Sequence, residues 1–331
     1  MLSHMMQYLI ILLDDTSTSY CHYSNRGSEH RLIPIDVLRE GIKYAMLDNL
    51  MVQFVWPGYD MPQEYVEVIE SIDHNNIAPA MFLPKGQKTD IAVFDDWRDM
   101  CDYAFDNGTA YVLRIDSENL FLNTEAISVN LVKVQRLSVI LTDVDKFDDY
   151  ALAQYKSVLD VFGDEIFNIY KRGGTTQLNL ITDRMMLQSM NNCNAGCETV
   201  TLAPDGKFYV CPAFYHANED EYEGTSKKKV SVGDLKTGVH IGNQSLYKLG
   251  SSPICRICDA YQCKRCVWLN RRLTNEVNIP SHEQCVMAHL ERNSSRTLLR
   301  EIRKVGKFMP NIEIDEIGYI DPFEKVIQNK S

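Results

Sequence analysis

Short apolar runs and amphipathic stretches alternate along the first half of the chain. Runs rich in Val, Ile, Leu and aromatic residues fall at Tyr8–Leu13, Met51–Trp56, Pro79–Leu83, Ile91–Phe94, Ala110–Ile115, Leu137–Thr142 and Gln177–Ile181. Each is bounded by Asp, Asn, Gly or Pro, which marks them as strands. Between them apolar residues recur at helical spacing. Ile35, Leu38, Ile42 and Met46 follow Pro34, and Tyr65, Val68, Ile69 and Ile72 follow Pro62. Proline suits a first helical turn, where its missing N–H has no partner to lose. Asp149–Phe162 forms a third amphipathic segment. This alternation predicts an α/β fold with a mostly parallel sheet, open or curled into a barrel; periodicity does not choose between the two.

The pattern changes near Asn191. Thr199–Ala203 and Lys207–Cys211 flank Pro204-Asp205-Gly206, a hairpin signal in which glycine takes the left-handed position. Polar Asn218–Lys229 reads as a loop, and a helix is expected over Val286–Val305, followed by a tail. There is no internal repeat or low-complexity stretch.

Composition narrows the partners. The 331 residues are 45% hydrophobic and 24% charged, as in an ordinary globular protein, and the formal net charge is −11. A chain this acidic is repelled by phosphate backbones, so nucleic acid is not an expected partner. Lys227-Lys228-Lys229 and the helically spaced Arg292, Arg296, Arg300 and Arg303 read as solvated faces. The apolar run Tyr8–Leu13 is too short to span a bilayer and ends in Asp14-Asp15, unlike a signal peptide. The expectation is a cytoplasmic protein without a membrane partner. Thiols stay reduced there, so clustered cysteines point to metal rather than disulfides.

Eight of the ten cysteines lie between Cys193 and Cys285, spaced Cys193-x3-Cys197-x13-Cys211, then Cys255-x2-Cys258-x4-Cys263-x2-Cys266-x18-Cys285. Two intervening residues let both thiolates reach one metal from a tight turn. Thiolates are soft ligands for iron–sulfur clusters or zinc, and eight are enough for two four-cysteine sites. Spacing alone does not separate the two metals.

The run resembles the SPASM domain, the auxiliary-cluster module of many radical S-adenosylmethionine enzymes. The resemblance rests on Cys193-Asn194-Ala195-Gly196, the Pro204-Asp205-Gly206 hairpin leading to Cys211, Val232-Gly233-Asp234-Leu235, and the closing cysteine string. It implies two 4Fe-4S clusters, one on Cys193, Cys197, Cys211 and Cys266, the other on Cys255, Cys258, Cys263 and Cys285. It also implies a partial TIM-like, radical-SAM-like barrel over residues 1–190, the cluster domain over 191–290, and a helix and tail over 291–331.

Radical S-adenosylmethionine enzymes carry CxxxCxxC in the loop after the first strand. If Cys21 is the third position here, the other two are Thr18 and Asp14. The Gly-Gly-Glu after the second strand is also missing, since the text reads Phe54-Val55-Trp56-Pro57-Gly58-Tyr59. S-adenosylmethionine is therefore not expected in the usual manner.

Overall the text, including IKYAMLDNLMVQFVWPGYDMPQEY and AHLERNSSRTLL, resembles the CXXX repeat peptide maturase family. That implies maturation of a ribosomally synthesised peptide with Cys-x-x-x repeats. Two roles stay open at this point: a peptide-modifying catalyst, or a non-catalytic partner or scaffold, zinc-stabilised in one version, that binds the precursor peptide or a true radical enzyme.

Other residues have a sharp and a bland reading. Cys21 with His22 is either a metal or substrate-thiol contact or simple packing. Asp14 and Asp15 are either a carboxylate pair at the barrel mouth or loop residues. Trp56-Pro57-Gly58 either lines a channel or makes a turn. Cys101 is read as packing, and His216, His240, His282 and His289 are given no role.

Overall fold

The computed structural model describes residues 6–24, 29–190, 193–217 and 230–306. The loop expected over Asn218–Lys229, with its three lysines, and the tail beyond 306 lie outside them.

Eleven strands form one sheet: β1 (Tyr8–Leu12), β2 (Met51–Val55), β3 (His74–Pro79), β4 (Ile91–Phe94), β5 (Ala110–Ile115), β6 (Arg136–Leu141), β7 (Gln177–Leu178), β8 (Thr199–Leu202), β9 (Lys207–Tyr209), β10 (Gly233–Asp234) and β11 (Gly238–Val239). Their order is β11-β10-β9-β8-β1-β2-β3-β4-β5-β6-β7, so the sheet is open, with β7 and β11 at its edges. Strands β1 to β7 are parallel, each paired with the next in sequence. Parallel pairing also joins β1 to β8, Tyr8 facing Thr199 and Ile11 facing Leu202. From β8 onward the pairing turns antiparallel through β9, β10 and β11. The mixed α/β fold is as expected, and the sheet runs unbroken past residue 190.

Alternation along β1 explains how its two faces are used. Leu9, Ile11 and Leu13 join Phe54, Leu202 and the helix Ile35–Leu47 in one apolar layer. Ile10 and Leu12 face the larger core, with Val55, Tyr111, Val139 and Trp268. Burial on both faces is why such strands read as continuous apolar runs. Gly41 lets the first helix approach the sheet: a Cβ there would meet Leu202 at 2.4 Å. Helix Asp149–Lys171 covers the second face, and the capping-box helix His282–Val305 packs along it.

Three expectations shift. Pro79–Leu83 is not a strand beyond Pro79; β3 lies earlier, and Met81 is exposed at 60%. Polar Asn76 hid it, because its side chain accepts from Trp56 Nε1 at 2.8 Å and donates to the Lys88 carbonyl at 2.8 Å. Such pairing makes burial of an amide tolerable. β7 is only two residues long, since Thr182 Oγ1 bonds both the Leu178 N–H and carbonyl and turns the chain. The final helix begins earlier, at His282, because Ser281 and Gln284 cap it reciprocally.

A buried ion triad ties the C-terminal segment to the parallel half of the sheet. Asp259 accepts from Arg184 Nη2 at 3.0 Å and from Arg292 Nη1 at 3.0 Å, with all three side chains at most 3% exposed. Arg184 belongs to the short helix Asp183–Met186 after β7, Asp259 to the cysteine string and Arg292 to the last helix. Arg292, read as a solvated residue, is thus among the most buried of the described residues.

Candidate metal centre

Four segments bring the cysteines together. Cys193 and Cys197 precede β8, with Gly196 at φ 77 in the turn between the two cysteines. Cys211 follows β9 and opens the short helix Pro212–His216. Cys255, Cys258, Cys263 and Cys266 lie on turns ending at helix Val267–Thr274, and Cys285 sits in the first turn of the last helix. The ten cysteines are thiols rather than disulfides.

Two groups result. Cys193, Cys211 and Cys266 share one buried neighbourhood, with Cys197 beside Cys193. Cys255, Cys258, Cys263 and Cys285 share the other. The main chain presents N–H groups to these sulfurs: Ala260 N donates to Cys258 Sγ at 3.4 Å and Arg265 N to Cys263 Sγ at 3.4 Å. Arg265 stands between the groups in a left-handed conformation, φ 42, and is 4% exposed. Its guanidinium donates to the carbonyls of Cys193 and Tyr247, both at 3.0 Å, and so pins the first segment to the string.

Burial pushes the Cys193, Cys211 and Cys263 thiols up and brings Cys255 to about 11; the Arg265 charge opposes this at Cys193 and Cys255. A soft metal must displace these protons, so loading releases acid. Among the described residues no three His, Cys, Asp or Glu side chains converge as a site for a single metal ion. One tetrahedral zinc would draw its sulfurs to within about 4 Å of each other, given Zn–S near 2.3 Å. A four-iron cluster is a larger body bound by the same donor set. The all-thiol donors in two groups fit clusters by their chemistry.

The loop after β1 is different. Asp14 is fully buried and accepts from the Thr16 N–H at 2.7 Å, the Thr16 hydroxyl and Tyr59 Oη at 2.9 Å. Asp15 takes Arg31 Nε at 2.8 Å and the Tyr215 hydroxyl. The two acids therefore serve separate structural networks. Trp56, 2% exposed and bonded to Asn76, is core rather than channel wall. With Asp14 so engaged and Thr18 buried, positions 14, 18 and 21 do not fit a three-thiolate radical cluster. Cys101 donates to the Ala126 carbonyl at 3.6 Å and packs, as expected.

Residues given no role, or none beyond spacing, stand next to the cysteines. His289 Nε2 is 3.4 Å from Cys258 Sγ. Glu291 is buried between Tyr155 Oη at 2.7 Å and Gln262 Nε2 at 3.2 Å, and burial brings its carboxyl to about 7. It lines a small open pocket with His22, Leu141, Cys263 and Cys266, at the C-terminal ends of β6 and β7. Helical spacing after the last cysteine marks these positions only as helix; their environment comes from tertiary packing.

His216 stacks on Tyr23 with centroids 5.8 Å apart, and its Nε2 has no hydrogen-bond partner among the described residues. Burial lowers its pKa from 6.5 to about 4. The folded value is depressed, so the neutral ring's contribution is whole above pH 6.5 and is lost as pH falls through 4. Over that window the loss is about 3 kcal/mol. His216→Phe should keep the stack and lose about that much less stability on acidification, read by urea unfolding at pH 7 and pH 4. Equal acid sensitivity in both proteins would refute this.

No family model matches the chain, and no curated protein matches it. Solved structures do. The structure of histidine-tagged anSMEcpe with bound AdoMet aligns with TM-score 0.59 at 12% identity, over 92% of this chain and 97% of that one. Native anSMEcpe with bound AdoMet and the Cp18Cys peptide aligns with TM-score 0.56 at 13% identity, over 90% and 99%. The chain thus has a mixed α/β fold, with a mostly parallel sheet, similar to that of anSMEcpe; at this identity the likeness is one of fold.

Proposed function

We propose that the protein takes part in maturing a ribosomally synthesised peptide with Cys-x-x-x repeats, and that its two cysteine groups hold 4Fe-4S clusters. The observation that carries this reading is that thiols from distant segments neighbour one another in two groups beside a pocket at the strand ends. The fold neighbour with a bound peptide supports a peptide substrate. Bound clusters would supply electron transfer or a thiol-binding iron. The chain's own residues do the rest. Arg265 holds the two groups in register, the Asp259 triad fixes the string, and Glu291 offers the pocket a carboxyl that exchanges its proton near pH 7.

The engaged Asp14 and the single cysteine of the 14–21 loop favour a protein that does not start a radical itself and acts with an enzyme that does. In that second reading it binds the precursor or the radical enzyme and lends its clusters as structure or relay.

Anaerobic purification with an absorption spectrum and iron, sulfide and zinc analysis tests the proposal. About eight irons per chain and a brown protein are expected, the load of two four-iron clusters. Colourless protein with about two zincs would replace this reading with a zinc-stabilised peptide-binding scaffold. Mass spectrometry of the precursor after incubation with loaded protein separates catalyst from partner. A mass change supports catalysis; an unchanged mass with co-purification of the radical enzyme supports the partner.

A further inference from the structure

We propose that Cys21, carried by the loop after β1, is a ligand of the first thiol site, whose four ligands are Cys21, Cys193, Cys211 and Cys266, with Cys197 outside. This rests on the cluster-binding reading above and changes which residues build it.

The placement of the loop carries the assignment. His22 lines the same pocket as Cys266. Tyr23 shares a second pocket with Ala213, His216 and Trp268. Residues 21–23 are therefore wedged between the turn after Cys211 and the helix start after Cys266. The wedge is held by its main chain. Arg114 of β5, 7% exposed, donates to the Cys21 carbonyl at 3.0 Å and the Tyr23 carbonyl at 2.6 Å, and His22 Nδ1 bonds the Leu141 carbonyl at 2.8 Å. Arg265 fixes Cys193 in the same way, through its carbonyl. Two buried arginines thus position the backbones of Cys21 and Cys193.

The thiol itself reaches the group. Cys21 neighbours Cys266 and Cys193, and the Tyr20 hydroxyl lies near Cys211, Cys21 and Cys193. Cys197 sits at the margin of the group, beside Cys193. Its charged neighbours are Arg265, Lys248 and Glu198, and its carbonyl accepts from Gln244 Nε2 at 3.4 Å. Exchanging Cys197 for Cys21 makes the first site a joint between the two halves of the chain. It also gives the one cysteine left in the loop a partner set that the Thr18 and Asp14 positions could not.

The test uses the full chain, purified anaerobically as wild type, Cys21→Ala, Cys21→Ser and Cys197→Ala, with iron and sulfide analysis and electron paramagnetic resonance after reduction. With about eight irons in the wild type, Cys21→Ala should hold about four, one four-iron cluster having gone. Cys197→Ala should keep about eight. Cys21→Ser, nearly isosteric, should keep the wild-type circular dichroism while the first cluster's signal is lost or shifted, which separates ligand loss from unfolding. Full iron and an unchanged signal in both Cys21 variants would overturn the assignment while leaving the cluster reading intact. Loss of half the iron in Cys197→Ala would overturn the four-thiol set. Wild-type protein without iron would overturn the cluster reading and this assignment with it.

Discussion

Asp259→Ala should cost the protein roughly 3–5 kcal/mol, because it removes the carboxylate that two buried guanidiniums share. Arg184 and Arg292 are 3% and 2% exposed, so water does not reach in to replace the carboxylate. The effect should appear as a fall in the urea midpoint with little change in slope. The triple replacement Arg184→Met, Asp259→Leu, Arg292→Met should recover most of the loss, since removing a whole ion network costs far less than orphaning part of it. Because the triad joins three separate segments, the single variant should also loosen the cysteine string and slow its loading with metal. A midpoint within experimental error of wild type would mean the triad does not hold the string in place.

The parallel half was legible because its strands are buried on both faces. Ile91–Phe94 and Ala110–Ile115 read as strands with the boundaries they have. Where the reading slipped, a polar group was being satisfied out of sequence view. Asn76 hid β3 by bonding Trp56 and a distant carbonyl, and Thr182 cut β7 short. Arg292 looked like one of four solvated arginines; only the fold supplies Asp259, thirty-three positions earlier, to bury it. The eight clustered cysteines announced themselves by number and spacing. Cys21 stood out only as an isolated candidate, because nothing in its neighbourhood of the chain indicates which distant thiols lie beside it.

Cys263→Ala should remove the second of the proposed clusters, leaving about four of eight irons. Cys263 is half-buried and accepts from the Arg265 N–H, so its loss also releases the residue that spans both groups. Structural metal sites of this kind contribute on the order of 10 kcal/mol to folding. The segment from Cys255 to Cys285 has little other regular structure ahead of helix Val267–Thr274. Proteolysis should therefore cut it there in the variant and spare it in loaded wild type. Retention of full iron, or equal resistance to protease, would show that Cys263 is not a ligand.

The parallel pairing of β1 with β8 has a consequence for the order in which the chain can be finished. β1 is made first, yet one of its two neighbours comes about 190 residues later. As the chain leaves the ribosome, β2 through β7 can add one after another on one side. The opposite edge of β1, bearing buried Leu9 and Ile11, stays bare until Thr199–Leu202 has emerged. A bare apolar edge is a template for pairing with another chain. Long-range closure of this sort is slow and exposed to aggregation. Nascent chains truncated before residue 199 should accordingly bind chaperones, and those extended past the β8–β9 hairpin should let them go.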